Sequence, residues 1–172
     1  MTLKKLTRKF YRRDAVTVAQ ELLGQILITH LPQGETAGLI VECEAYLGRE
    51  DKAAHSFRGK KTQRNQVLFG PPGYAYIYLI YGMYHCFNVV VGQKDDPQAV
   101  LVRALEPIAG LELMTQRRGT EKKKILTSGP GRLAQALGIT RELNGEDLLG
   151  DKIFIAPGPG TDPGSIVARP RI

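Results

Sequence analysis

Leu39-Ile40-Val41-Glu42-Cys43-Glu44-Ala45-Tyr46, continuing into Leu47-Gly48-Arg49-Glu50-Asp51-Lys52-Ala53-Ala54-His55-Ser56, reads as a strand that runs into a charged loop. The first eight residues alternate, with Leu39, Val41, Cys43 and Ala45 on one face and Ile40, Glu42, Glu44 and Tyr46 on the other. Two carboxylates and a phenol therefore share a face, and the break at Gly48 delivers His55 beside them. A carboxylate on a stiff strand, an aromatic two residues on and an imidazole on the next loop can form a pocket wall that activates water against a flat substrate. The same pattern equally suits outward residues of a half-solvated antiparallel strand, so this segment alone leaves both readings open.

The flanking sequence extends the sheet in both directions. Asp14 predicts the N-cap of a helix from Ala15 to Leu23, since Ala15, Val18, Ala19 and Leu22 fall at helical spacing and Gly24 is a natural stop. Gln25 to Leu31 reads as a strand, Pro32 to Glu35 as a turn, and Thr36 to Tyr46 as the hairpin partner. The first thirteen residues read as irregular, anchored by Phe10 and Tyr11.

Downstream, Phe57 to Asn65 is a basic loop, and Gly70-Pro71-Pro72-Gly73 closes the short apolar run Val67-Leu68-Phe69. Tyr74 to Tyr81 then alternates, placing Tyr74, Tyr76 and Tyr78 on one face and Ala75, Ile77 and Leu79 on the other. A turn at Tyr81-Gly82-Met83-Tyr84 leads to a strand from Cys86 to Val91, and Ala99 to Leu105 is another that carries Arg103. Pro107 is expected to end that strand and open a helix through about Arg117. Ser128-Gly129-Pro130 caps a further helix from Gly131 to Leu137, Lys152 to Ala156 is a short strand, and Ile172 stands where another strand would open. Tyr74, Tyr76 and Tyr84 read as sheet or core residues.

The chain has 172 residues, a single domain by length, and its 42% hydrophobic and 24% charged content fits a water-exposed globular fold. No apolar run approaches the roughly 20 residues of a membrane helix and no apolar stretch follows the basic N-terminus, so the expectation is an intracellular protein that engages no membrane. Cys43 and Cys86 sit within strand patterns without metal-like spacing to histidine, which suggests buried free thiols. Of 24 Lys and Arg, 15 lie in three clusters: Lys4 to Arg13, Arg58 to Arg64 and Arg117 to Lys124. If the clusters converge, a net charge of +7 suits a polyanion such as nucleic acid, although lysines also serve simply to solvate a surface.

Leu22-Leu23-Gly24, Glu42-Cys43-Glu44-Ala45-Tyr46, Ala54-His55-Ser56, Thr62-Gln63-Arg64-Asn65, Tyr78-Leu79-Ile80-Tyr81-Gly82-Met83-Tyr84, Asn88, Arg103-Ala104-Leu105-Glu106-Pro107 and Ser128-Gly129-Pro130 occur in unbroken order. Together they resemble the alkyladenine DNA glycosylase family, also called 3-methyladenine or methylpurine DNA glycosylase. The resemblance is dense from about Phe10 to Ile139 and thinner beyond Gly138. It implies an α+β single domain over residues 1–172, with a curved antiparallel β-sheet core, a protruding β-hairpin and flanking α-helices. The family also implies a further segment beyond Ile172 that closes the pocket floor.

By that resemblance Glu44 is the general base and Arg103 helps hold the nucleophilic water, where the residues alone also permit a structural ion pair. Glu42 is expected to be structural. Tyr46, His55 and Tyr78 would sandwich a flipped base, with Ala53, Asn88 and Leu101 lining the pocket, Asn88 against the exocyclic amine of guanine. Tyr81, with Met83 beside it, would wedge into the duplex, and Arg58, Lys60, Lys61, Thr62 and Arg64 would meet its backbone. The implied activity is base-excision repair: alkylated or deaminated purines are removed from double-stranded DNA by hydrolysis of the N-glycosidic bond, by a monomer without metal or organic cofactor. It would act in the cytoplasm at the nucleoid in a bacterium, or in a eukaryotic nucleus. Two other classes are a non-catalytic lesion-binding module and a nuclease or RNA-processing protein using Glu42 and Glu44 with a metal, the latter short of a third acidic or histidine ligand.

Overall fold

The computed structural model describes residues 3–171. Six strands form one antiparallel sheet: β1 (Ile26–Leu31), β2 (Gly34–Tyr46), β3 (Ala75–Ile80), β4 (Tyr84–Val91), β5 (Gln98–Ala109) and β6 (Ile153–Ala156). Their spatial order is β3-β4-β5-β2-β1-β6, and the sheet curls into a half-barrel. Five helices accompany it: α1 (Arg8–Tyr11), α2 (Ala15–Leu22), α3 (Leu111–Arg118), α4 (Lys123–Leu126) and α5 (Pro130–Leu137). The fold is α+β, as expected, and the long hairpin β3-β4 carries Tyr81 at its tip.

Local chemistry sets most of these boundaries. The Asp14 side chain accepts a hydrogen bond from the Thr17 amide, which caps α2. Pro130 opens α5 in the first turn, where its missing N–H costs nothing, and Gly138 at φ +70° closes it. The last carbonyl of α5, from Leu137, accepts a hydrogen bond at 2.7 Å from buried Thr29 Oγ1 on β1. A polar residue inside the sheet thus satisfies the end of the helix packed on it.

The main core lies between one face of the sheet and the helices. It joins Ala15, Val18 and Leu22 of α2 and Leu133, Ala136 and Leu137 of α5 to Ile77, Phe87, Val89, Val100 and Val102 of the strands. The opposite sheet face carries a smaller cluster of Leu68, Phe69, Tyr76, Val90 and Ala99. The alternation expected for β3 holds, since Ala75 and Ile77 enter the main core while Tyr76 and Tyr78 belong to the other face.

Three features depart from the sequence reading. Ile40 does not share a face with Glu42, Glu44 and Tyr46; it lies in the main core with Cys43 and Ala45. The pairing of β2 with β5 shifts at this point, so that Val41 and Arg103 have no opposite partner while Ile40 faces Leu105 and Cys43 faces Val102. Two facing bulges reverse the alternation in both strands and restore the register beyond. Pro107 does not end its strand, since β5 continues to Ala109 and α3 starts only at Leu111. β4 pairs with β5 only as far as Leu101, so Pro107 sits in an effective edge where β2 is the one neighbouring strand. Finally, Arg8 to Tyr11 form a helical turn with Tyr11 fully buried, where an irregular segment was expected. Ile172, read as a strand opening, falls outside the described residues.

Candidate active site

The β2/β5 bulge sets the chemistry on the sheet face away from the helices. Beyond it Glu44 and Tyr46 point to that face from β2, and Arg103 joins them from the bulged position of β5. Glu44 is 7% exposed, one of the few buried charged residues described. Its Oε2 accepts a hydrogen bond from the Tyr46 hydroxyl at 2.7 Å, and its Oε1 lies 3.3 Å from Arg103 Nη1. Arg103 Nε lies 3.3 Å from Glu42 Oε1, close enough for ionic attraction but outside hydrogen-bonding alignment. One guanidinium therefore bridges a buried and an exposed carboxylate, which gives Glu42 a part in holding Arg103. Burial, and then the bond to Glu44, push the Tyr46 pKa up, so its hydroxyl keeps its proton to donate.

Next to this group is a cavity lined by Tyr46, Ala53, His55, Tyr78 and Asn88, five of the expected pocket residues, together with Tyr76, Leu68, Ser56, Pro97 and Ala99. Leu101, the sixth, is buried and stands between Asn88 and Glu44 in the cross-strand register rather than on the cavity wall. Glu44 reaches the cavity through its contact with Tyr46. The rings of His55 and Tyr78 stand 4.5 Å apart and those of Tyr76 and Tyr78 5.5 Å apart, forming a continuous aromatic wall. His55 Nδ1 lies 2.9 Å from the Tyr76 hydroxyl. Tyr76 thus belongs to the site, although the sequence reading assigned it to the sheet; its position two residues before Tyr78 on the same face is the signal that pointed there. Burial pushes the Tyr76 pKa up to about 12.

His55 stands exposed at the cavity mouth on a loop of 3-10 turns, Gly48–Glu50 and Phe57–Gly59. The ring is desolvated where it meets Tyr78, and that cost, followed by the nearby Arg64 charge, lowers its pKa from the ordinary 6.5. Buried Asn65 ties the loop down by donating to the backbone carbonyls of His55 and Lys60. Buried Asp51 accepts from the amides of Leu47 and Ala53, and it is chelated by Arg171, whose Nη2 lies 2.8 Å from Asp51 Oδ1. Arg171 holds the Asp51 pKa at about 2. Asp51 and Arg171 went unnoticed in the sequence, because no local spacing links residues 120 positions apart.

The hairpin tip and the basic loop border this face. Tyr81 is 84% and Met83 66% exposed, and Tyr81 adopts φ +52°, a left-handed conformation unfavourable for a tyrosine. Arg58, Lys60, Lys61, Thr62 and Arg64 are all exposed. Arg64 donates to the Leu79 carbonyl of β3 and lies over the Tyr78 ring, which places that charge beside the cavity. The N-terminal basic cluster is used differently: Lys5 pairs with Asp151, Arg8 with Asp147 and Arg13 with Glu21. Among the described residues no group of three His, Cys, Asp or Glu side chains is arranged to hold a metal ion, and no helix is long and apolar enough to cross a membrane.

The family model for methylpurine-DNA glycosylase matches residues 9–172. Among curated relatives, a protein of Methanoculleus marisnigri is 53% identical over 170 residues, covering 97% of this chain and 87% of the relative. One from Desulfitobacterium hafniense is 49% identical over 162 residues, 90% of this chain and 80% of the relative. One from Bacillus mycoides is 49% identical over 174 residues, 95% and 85% respectively, and all three carry the name 3-methyladenine DNA glycosylase. An acid–arginine pair beside an aromatic cavity, on a chain matched over nearly its whole length, places this protein in the methylpurine-DNA glycosylase family, among the hydrolases that remove alkylated bases from DNA in its repair.

Proposed function

We propose that this chain turns damaged purines out of duplex DNA into the cavity and cleaves their N-glycosidic bond with a water activated by Glu44. The observation that carries the reading is the buried Glu44 carboxylate, held between the Tyr46 hydroxyl and the Arg103 guanidinium at the edge of an aromatic slot. A purine cannot slide between His55 and Tyr78, whose ring centres are 4.5 Å apart. The flat ring would instead stack between that wall and Tyr46, which lines the same cavity and whose face would replace the stacking lost on leaving the duplex. A cationic purine such as 3-methyladenine or 7-methylguanine gains a cation–π attraction there; neutral hypoxanthine or ethenoadenine depends on shape and on His55.

In the chemical step the water oxygen bonds to C1′ while its proton passes to Glu44. The C1′–N bond breaks with its electron pair leaving on the purine. Oxocarbenium character at the sugar is stabilised by the same carboxylate. Arg103 orients the carboxylate and the water, Asn88 and Ala53 line the slot, and Leu101 backs it. Tyr81, with Met83, enters the gap left in the duplex, where its strained, exposed position suits a wedge. Arg58, Lys60, Lys61, Thr62 and Arg64 contact the phosphates. The products are a free base and an abasic site, without strand cleavage.

Excision of hypoxanthine and 3-methyladenine from duplex DNA under single-turnover conditions tests the mechanism. Glu44→Gln keeps the size and hydrogen-bonding reach of the side chain but accepts no proton. It is expected to retain lesion binding while slowing excision by about 1,000-fold or more; an unchanged rate constant would rule Glu44 out as the base.

A further inference from the structure

We infer that Arg171 is a positioning residue for Glu44, acting through Tyr46 and Asp51, and that with Asp51 it clamps the two halves of the cavity wall in register. The inference rests on the reading of Glu44 as general base. Four contacts carry it. Both terminal nitrogens of Arg171 meet the Asp51 carboxylate, Nη1 also donates to the Ala45 carbonyl at 2.9 Å, and the guanidinium lies 4.7 Å over the Tyr46 ring.

Each contact reaches a different part of the site. Asp51 holds the amides of Leu47 and Ala53, and so the loop that carries Ala53 and His55. The Ala45 carbonyl belongs to the end of β2 between the two site residues Glu44 and Tyr46. The Tyr46 ring, covered by the guanidinium, donates its hydroxyl to Glu44 at 2.7 Å. Through Asp51 and the Ala45 carbonyl one planar cation therefore meets both the loop and the strand. Only arginine suits the position, because a fork of donors is needed to span two carboxylate oxygens and a carbonyl while its flat face stacks on a ring. The function of the clamp is to fix the plane of Tyr46 and, through its hydroxyl, the orientation of the Glu44 carboxylate toward the sugar. Small displacements of a base cost more in rate than in binding.

The test compares Arg171→Met, Arg171→Lys and Asp51→Asn in the full chain, measuring single-turnover excision of hypoxanthine and, separately, affinity for the same duplex. Arg171→Met is expected to lower the rate constant about tenfold with affinity within about threefold, and Arg171→Lys, which keeps the charge but not the fork, to recover only part of the loss. Asp51→Asn is expected to cost a similar factor and to add little to Arg171→Met, since the two act as one unit. A purely structural role lowers the amplitude of the excision burst through a smaller folded fraction and leaves the rate constant alone; that result overturns the inference. So does a wild-type rate constant in Arg171→Met, or additive losses in the double variant. Should Arg171→Met fail to fold, the lysine variant decides, with full activity counting against the clamp. Loss of rate in Glu44→Gln beside normal rates in the clamp variants would defeat this inference and leave the proposed function standing, whereas a normal rate in Glu44→Gln would defeat that reading first.

Discussion

At the scale of single residues the site sets proton positions by burial. Tyr46 and Tyr76 are held protonated by desolvation, and His55 is held neutral near pH 7 because desolvation and Arg64 both disfavour its cation. Its pKa lies below 6.5, so it acquires charge only as the pH falls beneath that value, and protonated His55 repels a cationic purine. Excision of 7-methylguanine is therefore expected to decline more steeply than that of hypoxanthine between about pH 7 and pH 5, and His55→Gln to bring the two profiles together. Parallel profiles in the unsubstituted chain would contradict a neutral His55 facing the base. Glu42, Glu44, Tyr46 and His55 were legible at this scale from alternation and spacing. The hydrogen bond between His55 and Tyr76 was not, because it joins a loop to a strand 21 residues away.

Among the elements, the paired bulge in β2 and β5 does most to bring the candidate site together. In an unbroken ladder Ile40 would share a face with Glu44, and either the isoleucine would meet solvent or the acid would enter the core. By inserting one residue in each strand the sheet gives Ile40 and Leu105 to the core and leaves Glu42, Glu44 and Arg103 together on the other face. The β3-β4 hairpin is the second such element. Its turn holds Tyr81 and Gly82 at positive φ, and the Met83 amide donates to the Ile80 carbonyl, so the exposed tyrosine sits on a rigid support. Tyr81→Ser is expected to leave thermal stability within about 1 kcal/mol while weakening lesion capture, read from the fluorescence of a base analogue at the lesion. An unaltered fluorescence change on binding would refute the wedge. The hairpin was visible in the sequence as two alternating runs around a glycine, whereas the bulges leave no mark in it.

Across the whole molecule, charge is divided between structure and surface. The three basic clusters look alike in the sequence, yet Lys5, Arg8 and Arg13 are engaged by acids in the fold, while Lys60 and Lys61 stand exposed on the loop that follows His55. Replacing Lys60 or Lys61 with Ala should reduce affinity for duplex DNA and lower the salt dependence of binding by about one counterion each, whereas Lys5→Ala should leave the salt slope unchanged. Fluorescence anisotropy over a salt series measures both, and equal slopes for all three variants would disprove the division. The sequence by itself determined the hairpins, the ends of α2 and α5 and the shared face of Glu44 and Tyr46, because periodicity, capping and turn chemistry act over a few neighbouring residues; Ala53, Tyr78 and Asn88 came from the family resemblance, and Tyr76 was read as a sheet residue. Tertiary structure alone decided which face Ile40 occupies, which cations are free to meet a phosphate, and that Arg171 closes on Asp51. Those outcomes depend on the pairing of strands and the meeting of charges far apart in the chain, where no local pattern records which partner burial will select.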